Sequence, residues 1–210
     1  MLDLIQTRRD LHQIPEIGLE EFKTHAYLLN VIEKLTAGKD FVQIRTWRTG
    51  ILVYLQGSQP ERTIGWRTDI DGLPIVEQTG LVFASQHPDR MHACGHDGHT
   101  TALLATCKVL MDNLDKLPHD VVAIFQYGEE QAPGGAKPMI DAGCLDNVDV
   151  IFGAHLWTPL PLGTLGYSYN ELCAAADRFE VKISSKENAN LIAAEFVSMT
   201  QQIVSRFSRK

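Results

Sequence analysis

Positive charge is in short supply: 19 lysines and arginines face 26 aspartates and glutamates, for a formal net charge of −7 over 210 residues. That balance provides no basic footprint for nucleic acid or an anionic membrane surface, so neither is expected as a partner. No stretch approaches the ~20 consecutive apolar residues of a membrane-spanning helix. The opening Met1-Leu-Asp-Leu-Ile-Gln-Thr-Arg-Arg-Asp lacks the apolar run of a secretory signal, and the expected location is the cytoplasm. Cysteine is sparse, with only Cys94, Cys107, Cys144 and Cys173, unpaired in spacing, which argues against a disulfide framework. Cys107 and Cys173 stand among apolar or small residues and read as buried, inert thiols. Internal repeats and low-complexity tracts are absent. What remains is ordinary globular usage, 44% hydrophobic and 21% charged, with enough length for one full domain and part of a second.

Apolar spacings of three and four predict helices from Leu4 to about Ile14, stopping before Pro15, and from about Glu20 to Leu35. Extended runs follow at Ile51 to Leu55 and Thr63 to Arg67, with the turn-rich Gly57-Ser-Gln-Pro-Glu between them. Leu103, Cys107, Leu110 and Leu114 share one helical face. Asp120 to Gln126 is a near-continuous apolar run of the kind that forms a strand buried on both faces, and Val148 to His155 is another. A short helix, Pro138 to Ala142, lies between them. Strand, helix, strand, with both strands apolar, argues an α/β sheet with helices packed on its two faces. Near the end of the sequence, Arg178 to Ile183 alternates like a half-exposed strand and Ser184 to Asn188 reads as a polar turn. Ile192, Phe196, Met199, Ile203 and Phe207 then trace a helical stripe. Such a pair buries little by itself and calls for a partner, either the main body or another chain.

The densest chemistry lies in Met91-His-Ala-Cys-Gly-His-Asp-Gly-His-Thr, where three imidazoles, a thiol and a carboxylate occupy ten positions. Cysteine and histidine are soft or borderline ligands and Asp97 is a harder one, a mixture that suits zinc or manganese better than calcium or magnesium. Gly95 and Gly98 permit the tight backbone that convergence needs. Further candidates stand at the ends of expected strands, where ligands collect in open α/β sheets: Asp69 and Asp71, Glu129 and Glu130, and His155. Adjacent carboxylates after a buried strand repel and pay for desolvation unless a cation is nearby. Neighbouring side chains point to opposite sides, so one glutamate can bind metal while the other faces a reacting water.

The strings Arg67-Thr-Asp-Ile-Asp-Gly-Leu-Pro, Met91-His-Ala-Cys-Gly-His-Asp-Gly-His, Glu129-Glu130 with Ala132-Pro-Gly-Gly-Ala, and Gly153-Ala-His-Leu resemble a known family. It is the metal-dependent amidohydrolase, aminoacylase and carboxypeptidase family that includes hippurate hydrolases, auxin-conjugate hydrolases and N-acetyldiaminopimelate deacetylases. Arg8-Arg-Asp-Leu-His-Gln-Ile-Pro-Glu is similar too, and agreement runs to about Ile183. The resemblance implies a mixed, largely parallel α/β sheet with helices on both faces, of metallo-aminopeptidase type, over residues 1–177. A remnant strand and helix of a lid and dimerisation domain would follow over residues 178–210. It implies Cys94, His96, Glu130 and His155 as metal ligands, Glu129 as general base and Asp69 as a supporting acid. It further implies two divalent ions, zinc or manganese with nickel or cobalt as substitutes, a small N-acyl amino acid substrate, and a homodimer through the terminal strand and helix. His92 and His99 stay outside the ligand set.

The chain departs from that family in the lid. The Gly-Gly-His-containing loop of relatives is replaced by Ser184-Ser-Lys-Glu-Asn, and no histidine follows His155. Losing one oxyanion donor typically costs about 100-fold to 1000-fold in rate. The expectation is therefore a shortened family member whose metal-binding core is mostly present and whose hydrolysis is impaired. Two alternatives stand beside it: a non-catalytic metal-binding or assembly module, and a cysteine-nucleophile hydrolase built on Cys94. The latter leaves Glu129, Glu130 and His155 unexplained. Tyr127-Gly128 is a smaller departure just before the glutamate pair.

Overall fold

A computed structural model describes residues 2–173 and 179–207. The chain divides into two compact units, Met1–Pro159 and Leu160–Lys210.

The first unit begins with helix α1 (Leu4–Gln13), whose N-terminus is capped by the Asp3 carboxylate accepting from the Gln6 amide at 3.0 Å. It ends before Pro15, which would disfavour helical geometry in the preceding residue. Helix α2 (Phe22–Thr36) follows, burying Leu28 and Ile32 on one face. Five strands then form one sheet: β1 (Val42–Trp47), β2 (Gly50–Leu55), β3 (Thr63–Asp69), β4 (Asp120–Gln126) and β5 (Val150–Gly153), in the order β1-β2-β4-β3-β5. Helix α3 (His96–Asp112) connects β3 to β4, and the short α4 (Ala136–Asp141) lies between β4 and β5.

β1 pairs antiparallel with β2, and β2 antiparallel with β4, whereas β3 runs parallel to both β4 and β5. The register of the parallel half places Asp69 opposite Gln126 and Arg67 opposite Gly153, so β3, β4 and β5 end together. The loops carrying the carboxylates and His155 therefore leave the sheet from one edge. Val121 to Phe125 are all buried, as their unbroken apolar run predicts for a strand with neighbours on both sides. Helices α1, α2 and α3 contribute Leu11, Leu28, Ile32, Leu103 and Leu104 to the core. Each such fully buried side chain stabilises the fold by about 1.5–3 kcal/mol. On the opposite face, Met139 and Ile140 of α4 line a groove of about 340 Å³ with the cross-strand set Arg67, Ile124 and Gly153.

In the second unit, helix α5 (Ala189–Phe207) matches the helical stripe, and Ile192, Phe196, Met199 and Ile203 are exposed. The strand expected from Arg178 to Ile183 is not formed over residues 179–183. Arg178 and the side chain of Phe207 lie outside the described residues. The alternation there lacks a partner: among the described residues the second unit holds no other strand, and an unpaired strand leaves its backbone groups unsatisfied. Cys173 is exposed, contrary to its apolar and small-residue surroundings in sequence, because the described residues leading to it, 160–173, form no helix or strand and are themselves exposed. Cys107 and Cys144 are buried, and all four cysteines are free. No helix of the described residues is long and apolar enough to cross a membrane.

Candidate metal centre

Helix α3 starts inside the Cys/His cluster. Gly95, its N-cap, adopts φ 90°, a left-handed conformation that favours glycine, and turns the chain so that Cys94 and His96 face the same point. Thr100 Oγ1 donates to the Asp69 carbonyl at 2.8 Å, which ties the helix start to the end of β3. The donor atoms of Cys94, His96 and Glu130 lie within 4.8 Å of one another, as do those of Asp69, His96 and His99. His155, beyond the end of β5, brings Nε2 to 3.3 Å from the Cys94 sulfur. Glu129 is exposed beside Glu130, which contributes a carboxylate oxygen 3.7 Å from His96 Nε2. Thus the six residues singled out in sequence come to one edge of the parallel sheet.

Ring orientation follows from the hydrogen bonds behind each imidazole. His96 Nδ1 donates to Asp71 Oδ1 at 3.0 Å and His155 Nδ1 donates to the Leu156 carbonyl at 2.6 Å, so both present the Nε2 lone pair to the cluster. Asp69 lies between Arg67 Nη1, at 2.9 Å, and His99 Nδ1, at 2.8 Å. His92 is buried with both ring nitrogens unpartnered, and burial pulls its pKa down to about 4, so it is neutral near pH 7.

The electrostatics of the cluster point one way. Burial, then the hydrogen bond and charge of Glu130 and the charges of Asp69 and Glu129, push the Cys94 thiol up to about 12. Partial desolvation of the carboxyl and the neighbouring Glu130 raise Glu129, against the pull of His96 and Arg67. His96 is raised despite its burial, because Asp71, Asp69 and Glu130 surround it. Burial alone would raise Asp69, but the His99 hydrogen bond and the charges of His96 and Arg67 outweigh it and hold the carboxyl at about 2. Excess negative charge converging on a thiol and two imidazoles is what a divalent cation would neutralise, and the thiol, imidazole and carboxylate donors suit zinc or manganese. The residues present fit such an ion.

Two supporting residues complete the centre: Asp71, a strand-end candidate to which the sequence assigns no role, and Glu21, which carries no sequence signal. Asp71 is fully buried and spends one oxygen on His96 and the other on the Glu130 amide, at 2.9 Å, so a single carboxylate aligns both. Glu21, also buried, accepts from the Gly128 amide at 2.6 Å and from Thr49 Oγ1 at 2.7 Å. Gly128 has φ 57°, a conformation that favours glycine, and so permits the turn that delivers the glutamate pair. Gly135 presses on that turn, and a Cβ there would meet the Tyr127 carbonyl oxygen at 1.8 Å. Gly135→Ala is expected to destabilise the fold by at least the ~1–3 kcal/mol typical of overpacking, read as a lowered denaturation midpoint.

Behind α3, Asp97 accepts from His12 Nδ1 at 2.7 Å and Arg8 Nε at 2.9 Å, while His12 Nε2 meets Glu77 at 3.2 Å. The hydrogen bond to Asp97 raises the His12 pKa above 6.5, against burial and the Arg8 charge. A raised folded-state pKa contributes stability that is complete below the unfolded value of 6.5 and is lost as pH climbs through the folded value. Going from acid toward pH 9, the wild type should therefore lose more thermal stability than His12→Gln, in which this linkage is absent. Paired melting curves across that range check it, and equal losses would count against it.

Comparison with known proteins gives a consistent picture. The family model for peptidase family M20/M25/M40 matches residues 65–209. An N-acetyldiaminopimelate deacetylase of Streptococcus pneumoniae serotype 19F (strain G54) is 55% identical over 217 residues, covering 98% of this chain and 57% of the relative. That of strain Taiwan19F-14 is 56% identical, with the same coverage. The chain thus spans 57% of the length of the curated relatives it matches. Among solved structures, the YXEP protein of Bacillus subtilis, described as a dinuclear metal-binding peptidase of the M20 family, superposes with a TM-score of 0.73. It is 39% identical, over 79% of this chain and 46% of that one. The aminobenzoyl-glutamate utilization protein of Klebsiella pneumoniae shares the fold, with a TM-score of 0.54, 22% identity and coverage of 70% of this chain and 41% of that one.

Proposed function

The chain belongs to peptidase family M20/M25/M40, and from that premise we propose that it hydrolyses the amide bond of small N-acyl amino acids, with N-acetyldiaminopimelate as the first substrate to test. The observation that carries the proposal is the convergence of Cys94, His96 and Glu130 within 4.8 Å, with His155 against the thiol and Glu129 beside them.

In this proposal Cys94, His96, Glu130 and His155 hold the divalent metal. Two ions are expected, as in the dinuclear Bacillus relative, with zinc or manganese favoured and nickel or cobalt able to substitute. Such ions, when bound, acidify water and polarise an amide carbonyl. Glu129 is the general base: it takes a proton from water and returns it to the departing amine, and its raised pKa brings it closer to the working range of such a base. Asp69 stays ionised and anchors Arg67 and His99 beside the cluster. Residues 178–210, including α5, belong to the lid and dimerisation region in this proposal, and the protein acts in the cytoplasm.

The test is turnover by the purified chain of N-acetyldiaminopimelate and a panel of N-acetyl amino acids, with and without added Mn²⁺, Zn²⁺, Co²⁺ or Ni²⁺. Metal-dependent release of the free amine is expected. Bound metal with no hydrolysis of any substrate would sink the proposal in favour of a metal-binding module.

A further inference from the structure

Three histidines crowd the centre, and their hydrogen bonds divide them. The ring centroids of His99 and His155 are 4.4 Å apart, and those of His96 and His99 are 5.4 Å apart. By proximity alone His99 would be a ligand, because its donor atom lies within 4.8 Å of those of Asp69 and His96. Its nitrogens are both engaged, however. The Leu156 amide donates to His99 Nε2 at 2.9 Å, which requires a lone pair there. The ring hydrogen is then on Nδ1, where it donates to Asp69 Oδ1 at 2.8 Å. His96 and His155 share that tautomer, with Nδ1 satisfied by protein, but their Nε2 is turned to the cluster instead of being taken by a backbone amide.

The Leu156 backbone is the junction. Its N–H is held by His99 while its carbonyl accepts from His155 Nδ1 at 2.6 Å, so the two peptide groups flanking one Cα link the two rings. The same segment is seated on the start of α3 by the Leu156 side chain, whose Cδ1 occupies the space a Cβ on Gly98 would need, 2.5 Å away. His155 lies beyond the last residue of β5, where no strand pairing fixes it. Something else has to orient its ring, and the Asp69–His99–Leu156 chain reaches it from the end of β3.

Resting on the metal centre proposed above, we propose that His99 is a positioning residue: it binds no metal, and through the Leu156 backbone it aims the His155 ring at the ion held with Cys94. Asp69 fixes the His99 tautomer, which gives that carboxylate its place in the site. Residues in such supporting positions typically change metal affinity by about 10- to 100-fold when removed.

Two measurements on the intact chain test this. In ¹⁵N-histidine-labelled wild type, two-bond proton–nitrogen spectra should show His99 as the Nδ1–H tautomer both before and after Zn²⁺, while the ring nitrogens of His96 and His155 move on Zn²⁺ addition. A coordinated His99 nitrogen, or an Nε2–H tautomer, would overturn the proposal, and this arm needs no variant to fold. By calorimetric Zn²⁺ titration, His99→Leu should weaken binding about 10- to 100-fold with the number of ions unchanged, whereas His99→Gln, able to accept from Leu156 and donate to Asp69, should recover part of the loss. Unchanged affinity in His99→Leu, or loss of one whole ion, would refute it. Zn²⁺ binding that follows this pattern without amide hydrolysis supports the positioning role and removes the proposed activity. Hydrolysis by wild type with unmoved Zn²⁺ affinity in His99→Leu does the reverse, and a wild type that takes up no Zn²⁺ removes both.

Discussion

Glu129→Gln is expected to lower kcat on an N-acetyl amino acid by about 100- to 10,000-fold, with bound metal content unchanged. The amide keeps the shape of the carboxylate but has no basic oxygen to take a proton from water. Glu129 is exposed beside a cluster whose donor atoms belong to other residues, so its replacement leaves Cys94, His96, Glu130 and His155 where they are. Although the residue is exposed overall, partial desolvation of its carboxyl and the Glu130 charge raise its pKa, which brings its basicity closer to neutral pH than that of an ordinary glutamate. Steady-state kinetics paired with metal analysis of the same preparation check the prediction. A kcat within a few-fold of wild type would rule Glu129 out as the base.

Cys94→Ala is expected to weaken divalent metal binding by more than the ~100-fold that marks removal of a supporting residue, because the sulfur is the atom to which both halves of the cluster refer. It shares one group with His96 and Glu130 and lies 3.3 Å from His155 Nε2. With Co²⁺ as the probe, the thiolate-to-cobalt absorption of the wild type should vanish in the variant, and competition with a chelator should report the affinity loss. Retention of that band would mean that another thiol binds the ion; Cys107 and Cys144 are buried in the core, which leaves the exposed Cys173.

Most of the first unit was legible in sequence, because helical spacing in α2 and α3 and the apolar run of β4 are strong periodic signals. β1 was not recognised, although Val42, Ile44 and Thr46 alternate with Gln43, Arg45 and Trp47, because the strand is largely exposed and its turn carries no Asn-Gly or Asp-Gly signal. The turn uses Arg48 at φ 53° instead, a conformation that sequence rules reserve mainly for glycine and asparagine. The opposite error arose at residues 179–183, where alternation without a partner strand does not make a strand. Candidate ligands were legible because thiol, imidazole and carboxylate stand at strand ends and a helix start. Asp71 was legible as a strand-end candidate but not in what it holds, and Glu21 and the role of Leu156 were not legible at all, since a buried carboxylate or a backbone amide looks in sequence like any other; only the fold reveals what each one touches.

Glu21 also bears on which parts of the chain the reaction depends on. It sits at the N-cap of α2, yet its side chain makes no capping hydrogen bond and reaches across 107 positions to the Gly128 amide. The first two helices contribute none of the proposed ligands, but one of them tethers the loop that presents the glutamates. Trimming residues 1–36 would therefore leave every proposed ligand on the polypeptide and still cut the mooring of the loop that carries Glu129 and Glu130, so the proposed site depends on the N-terminal segment as well as on the proposed ligands.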